Sequence, residues 1–220
     1  MSAASFTPAF EDLPAAIPIF PLEGVLLLPR GRLPLNIFEP RYLEMTRAAL
    51  AAPQRLIGMI QPRPGSSGRE PPVFETGCAG RITSFSETDD GRYLITLTGV
   101  CRFTVAQELP GVAGYRIVQP DWSRFRADFD APGAVDFDRP RFEAALKRYF
   151  TAHGIQADWE AVTQSPEERL ITSLAMICPF SPLEKQALLE APDLAARAEA
   201  MTALVEMAVA ELPGGDGAKH

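Results

Sequence analysis

The segment from Phe20 to Tyr42, FPLEGVLLLPRGRLPLNIFEPRY, is apolar enough for a buried strand, yet prolines stand at 21, 29, 34 and 40 and arginines at 30 and 32. Proline fixes φ and has no backbone donor, so no helix runs through this stretch. No apolar run of the chain reaches the roughly 20 residues that cross a bilayer. What remains is a set of short elements punctuated by proline. The segment predicts one or two short strands between Ile17 and Leu28, a turn at Pro29-Arg30-Gly31-Arg32 that exposes the arginines, and a second strand from Leu33 to Ile37. A helix then runs from Pro40 to Ala51, with Pro40 at the first position, where its missing N–H costs nothing, and Tyr42, Met45 and Ala49 on one face.

Strand patterns continue. RLIGMI, at 55–60, is a buried strand, and QPRPGSSGREPP after it reads as an exposed, mobile loop. Two alternating runs flank Asp89-Asp90-Gly91, the composition of a hairpin turn. A four-residue loop, Thr88 to Gly91, would set Glu87 opposite Arg92, Ile82 opposite Leu97 and Cys78 opposite Cys101. GYRIVQPDW adds one more strand. From Asp121 to Pro140, acidic and aromatic residues mix with glycine and proline as a connector.

Helical periodicity then takes over. Phe142, Leu146, Tyr149, Phe150 and His153 share a face that Gly154 ends. Ser165-Pro-Glu-Glu and Ser181-Pro-Leu-Glu each place serine at an N-cap and glutamate three residues on. The buried stripes are Leu170, Ile171, Leu174 and Ile177, then Leu194, Ala198, Met201, Val205 and Ala208 on a helix capped by Asp193. The terminal GGDGAKH should fray. Residues 1–120 hold 11 basic and 11 acidic residues, and 121–220 hold 10 and 17. The division is therefore a β-rich part over 1–120 with one helix near 40–51, and a connector with a helical part over 121–220.

The chemistry is sparse. A net charge of −7 argues against binding nucleic acid through phosphate neutralisation. The aromatic and basic stretch DWSRFRADF is acidic enough to read as a packed connector. No Gly-Lys dipeptide exists for a phosphate loop, and Gly65-Ser-Ser-Gly68 lacks the spacing of a nucleophile elbow. Cys78, Cys101 and Cys178 form no CxxC pair, which predicts neither a disulfide framework nor a metal site, and no cofactor is expected. The opening residues are uncharged until Glu11, unlike a signal peptide, so the expected location is cytoplasmic, without membrane attachment. His153 and His220 are the two histidines. A cysteine hydrolase pairing one of the thiols with His153 stays open as an alternative, against a reading of buried structural cysteines.

Five phrases in order resemble the N-terminal, substrate-binding domain of Lon proteases: IPIFPLEGVLLLPRGRLPLNIFEPRYLEM, RLIGMIQP, GCAGRITSF, DGRYLITLTGVCRFTV and SPLEKQALLEAPDLAARAEAM. The resemblance runs from about Ile17 to Leu212. It implies an α+β fold, a strongly bent mixed sheet (a pseudo-barrel) followed by a C-terminal helical bundle. Full Lon proteases add an ATPase and a Ser-Lys peptidase; with Lys147, Lys185 and Lys219 its only lysines and no phosphate loop, this chain is expected to be a free-standing bacterial relative and not an enzyme. The implied function is non-catalytic binding of unfolded or tagged polypeptide, as an adaptor or regulator in protein quality control that engages Lon or its substrates. Phe38, Arg41 and Tyr42, at a strand-to-helix junction, are the candidate peptide-binding residues. The same three also read as structural, with the rings in the core and Arg41 paired to Glu39.

Overall fold

The computed structural model describes residues 8–65, 68, 70–112, 114–131 and 137–211. The predicted fraying of 214–220, the two serines of Gly65-Ser-Ser-Gly68 with the middle of their loop, and His220 lie outside these residues. Among the described residues there are six strands: β1 (Ile17–Pro21), β2 (Arg32–Ile37), β3 (Leu56–Ile60), β4 (Thr76–Glu87), β5 (Tyr93–Val112) and β6 (Tyr115–Asp121). They form one mixed sheet in the order β2-β5-β4-β3-β1-β6, in which only the β1–β3 pairing is parallel. The twenty residues of β5 bend the sheet into a ring. Its first half pairs with β2 and β4, and its second half continues onto β6, from Thr104↔Asp121 to Leu109↔Ile117 and beyond.

The long apolar stretch is explained by this ring. Leu26, Leu27 and Leu28 are at most 2% exposed, yet belong to no strand. They pass against the sheet where it has glycine. A methyl group on Gly99 would lie 2.0 Å from the Leu28 carbonyl oxygen, so only glycine lets the loop come this close. Backbone bonds of 2.8 Å, Arg30 N–H to Gly99 O and Gly99 N–H to Gly31 O, fasten it there.

The hairpin differs from its predicted register. Glu87 pairs with Tyr93, and Cys78 with Arg102, while Ile82 meets Leu97 as expected. The loop holds five residues because the Thr88 amide bonds the Arg92 carbonyl at 2.9 Å, leaving Arg92 to pair with Asp90. Bulges between Ala79 and Gly80 and between Ile82 and Ser84 then shift the ladder twice, which a constant register cannot reproduce.

Helix α1 (Pro40–Ala51) has the predicted bounds and buries Tyr42, Met45 and Ala49. Beyond β6, a 3-10 segment at Ser123–Phe129 packs the connector, with Phe125 buried. Helices α2 (Arg139–Ala152), α3 (Trp159–Gln164), α4 (Glu167–Ile177), α5 (Pro182–Glu190) and α6 (Leu194–Ala210) follow. Gly154 ends α2 with φ +64°, Asp193 caps α6, and Ser181 and Glu184 form a full capping box on α5.

Two helical expectations fail. Ser165 does not cap α4: its hydroxyl donates to the Ala161 carbonyl at 2.6 Å, closing the unpredicted α3, and Pro166 takes the cap position. Ile177 is 71% exposed. It falls three residues after Leu174, on the flank of α4, and Cys178, four after, takes the place in the core.

One hydrophobic cluster joins sheet and helices, Phe20, Leu27, Ile57 and Leu97 meeting Phe142, Leu146, Ile171 and Met201. A second, around Phe103 with Ile17, Ile19, Val118 and Phe125, fills the ring. Between them runs a polar tie. The Arg102 guanidinium meets the Asp128 carboxylate at 2.7 Å with both side chains under a tenth exposed, and Nη1 donates to the carbonyls of Leu189 and Ala191 at the end of α5. Asp128 also accepts from the Arg102 backbone amide at 2.9 Å. Removing one partner of such a pair strands a buried charge. We expect Asp128→Ala to cost about 3–5 kcal/mol of stability, read from urea unfolding; a loss below about 1 kcal/mol would show that the pair does not hold the helices to the sheet.

Candidate functional site

Closure of the ring sets β6 beside β1, with Arg116 opposite Ile19, and so brings β6 under the start of α1. There Pro21, Arg41, Tyr42, Glu70, Tyr115 and Arg116 are among the residues lining a cavity of about 110 Å³. Two of the three predicted site residues are thus brought together. Phe38 is not in its wall; it stands 62% exposed between β2 and α1, so the core reading is wrong for this ring. For Tyr42, 7% exposed, it is right: its ring lies 4.3 Å from that of Phe20.

The cavity's charges are held in place. Arg41 donates from Nε to Glu39 at 3.0 Å and lies 4.4 Å above the Tyr42 ring, a cation over the negative face of an aromatic. Arg116 grips Glu108 with two bonds of 2.7 Å and gives a third to the Pro71 carbonyl. That grip holds the Glu108 carboxyl below its ordinary range and raises Arg116. Burial pushes the Tyr42 phenol up, against the opposing charge of Arg41. The described residues of the site offer hydrogen-bond donors and aromatic faces.

Tyr115 is also a wall of a second cavity, about 200 Å³ and mostly apolar, formed with Ile17, Ala48, Ala52, Leu56 and Ile117 among others. A polar and an apolar recess therefore flank one tyrosine. Sequence reasoning missed Tyr115, Arg116 and Glu70. No periodicity points to them, because Tyr115 and Arg116 reach α1 only through strand pairings distant in sequence, and Glu70 lies in the loop between β3 and β4.

The hydrolase alternative finds no support in the geometry. His153 ends α2, its Nδ1 2.9 Å from the Tyr149 carbonyl and its ring 4.1 Å from the Tyr149 ring. Among the described residues no cysteine hydrogen-bonds to it. All three thiols are buried. Among the described residues no group of three or more His, Cys, Asp or Glu could hold a metal ion, and no helix is long and apolar enough to cross a membrane. The aromatics of DWSRFRADF are spent on packing: Phe125 is buried, Phe129 meets Phe10 at 5.6 Å, and Trp122 donates to the Pro14 carbonyl.

The architecture is that of an α+β protein whose bent mixed sheet carries a recessed surface and a group of helices. The chain belongs to the family of the ATP-dependent protease La (LON) substrate-binding domain, whose model matches residues 16–206. It is similar to the Lon protease of Anaeromyxobacter dehalogenans (strain 2CP-C), 26% identical over 103 residues that make up 44% of this chain and 12% of that protein. Lon protease 2 of Sorangium cellulosum (strain So ce56) is 28% identical over 106 residues, 46% of this chain and 13% of that protein. The matches thus span only a small fraction of these relatives' length. Among solved structures, a Lon N-terminal domain protein from Xanthomonas campestris has a TM-score of 0.57 at 24% identity, and the N-terminal domain of Mycobacterium avium complex Lon protease has 0.57 at 13%. Each alignment covers 86% of this chain and 97% of the other, and shows the shared fold.

The thiols give a direct test. Burial, before the neighbouring Asp128 charge, pushes Cys101 from an ordinary 9.0 to about 12, and burial pushes Cys178 to about 11. A raised thiol pKa favours the protonated folded state, so this contribution is complete below pH 9.0 and is lost as pH climbs through 11 to 12. We expect no thiol labelling of the native protein at pH 8 and stability that falls with alkali above pH 9. Fast labelling of any cysteine without unfolding would contradict the burial.

Proposed function

We propose that this chain is a polypeptide-recognition module, acting without catalysis as an adaptor or regulator in protein quality control, with unfolded or tagged polypeptide as its ligand and Lon or a Lon substrate as its wider partner. Membership of the substrate-binding family supports the class of ligand. The observation that carries the choice of surface is the exposed ring of Phe38 three residues from Arg41, at the mouth of the β2–α1 junction. A phenylalanine held in water loses that exposure when a ligand covers it, and aromatic anchors commonly dominate such contacts. Arg41 and Tyr42 add a donor and an aromatic face, and the apolar recess beyond Tyr115 has room for one side chain of the ligand.

Binding of a panel of chemically unfolded model proteins, followed by fluorescence anisotropy, tests this. Saturable binding is expected, and Phe38→Ala should weaken it about tenfold, equivalent to about 1.4 kcal/mol, with an unchanged melting temperature because the ring packs against little. Arg41→Ala should weaken it less. Absence of saturable binding across the panel would sink the proposal, and full affinity in both variants would move the surface elsewhere.

A further inference from the structure

The two arginines in the apolar opening segment have different tasks. Arg30, with a left-handed φ of +64°, ties the β1–β2 turn to α4 and the connector: its guanidinium pairs with Glu168 and donates to the carbonyls of Asp128 and Asp130. Arg32 is exposed and, among the described residues, has no side-chain hydrogen bond or ion pair. Between this turn and α4 lies a groove of about 390 Å³ that shares no lining residue with either cavity beside Tyr115.

The α4 wall has one helical face. Arg169, Ser173, Met176 and Ile177 line it, spaced so that their side chains fall on the same side of the helix. Met176 lies over the turn backbone, where a methyl group on Gly31 would come within 2.3 Å of its sulfur. Ile177 beside it is 71% exposed. Arg169 is exposed and, like Arg32, has no side-chain hydrogen bond or ion pair among the described residues. In a chain of net charge −7, the groove thus sets two uncommitted cations beside an aliphatic floor.

We propose that this groove docks an acidic, aliphatic-bearing polypeptide segment in extended form. Carboxylates of the segment pair with Arg32 and Arg169, and a large aliphatic side chain covers Met176 and Ile177. The inference rests on the reading of the chain as a polypeptide-recognition module, and adds to it a second surface with its own chemistry. Charge sets the choice: like-charge contacts reject basic segments, while opposite charges steer and register acidic ones. Nucleic acid fits poorly, since the described residues that line the groove include no aromatic ring on which a base could stack.

Three fluorescent peptides of equal length test the proposal by anisotropy: one carrying glutamate and leucine, one with lysine for glutamate, and one with alanine for leucine. The variants are R32E/R169E, Ile177→Ser, and the equal-charge control R92E/R148E, all at exposed positions, with melting curves to verify folding. The Glu-Leu peptide should bind saturably and more weakly as salt rises, and each altered peptide about tenfold more weakly. R32E/R169E and Ile177→Ser should each lower the affinity for the Glu-Leu peptide about tenfold, while the control keeps it. Failure of that peptide to bind, equal binding by R32E/R169E, or an equal loss in the control would overturn the proposal. A dimer in sedimentation that R32E/R169E dissolves would overturn it too, since a second copy would then be the occupant. If unfolded model proteins still bind in any of these cases, polypeptide recognition stands and only the groove falls; if they do not, both fall.

Discussion

The contact between Arg102 and Asp128 is the constraint on which the rest depends. Along one edge of β5, β2 occupies the first half and β6 the second, and Arg102 lies in the gap between them. There the Asp128 carboxylate takes the part of a neighbouring strand, accepting from the Arg102 backbone amide as well as its guanidinium. Taking both charges out of water is costly, and is tolerated when the geometry is good and the remaining donors are used. The carbonyls of Leu189 and Ala191 use them, at the end of a helix where a cation is favoured. Arg197 adds a second guanidinium there, its Nε donating to the Leu188 carbonyl, and burial foremost lowers its pKa to about 10. Sheet, connector and helices meet at this point.

Both recessed surfaces follow from that frame. The cavity at Arg41 and Tyr42 exists because β6 turns back along β1, which happens only when the second half of β5 is handed to a new partner. The groove at Arg32 and Arg169 exists because the β1–β2 turn is held against α4 by Arg30, and Arg30 in turn reaches the carbonyls of Asp128 and Asp130 within the connector. Neither surface belongs to a single element.

Local chemistry made much of the fold legible in the sequence. The limits of α1, the left-handed Gly154, the Ser181–Glu184 capping box and the Asp193 cap each depend on a few neighbouring residues, so reading them needs no tertiary structure. What depends on distant contacts was less legible. Leu26 to Leu28 have the composition of a strand and run as loop, because Gly99 leaves space for their backbone. An extra residue of β5, Val100, displaces Cys78 from Cys101, and Ile177 yields its place to Cys178. At the candidate site, Arg41 and Tyr42 are adjacent in sequence and could be chosen together, whereas Arg116 joins them only through the β1–β6 pairing. Phe38 reads as core from its type alone; its exposure follows from its place between the end of a strand and a helix cap, where no element lies over it.

Among the six strands, β2 alone has a single neighbour. An unpaired strand edge is a template on which other chains can build, and folded proteins guard such edges with proline, charge or brevity. All three are present: β2 is six residues long, contains Pro34 and begins at Arg32. The proline that makes the opening segment awkward as a strand also leaves the ladder short of a donor where another chain would attach. Under the proposed function, a protein whose recesses take up polypeptide thereby keeps its own sheet from joining the aggregate, and confines capture to side chains that can let go.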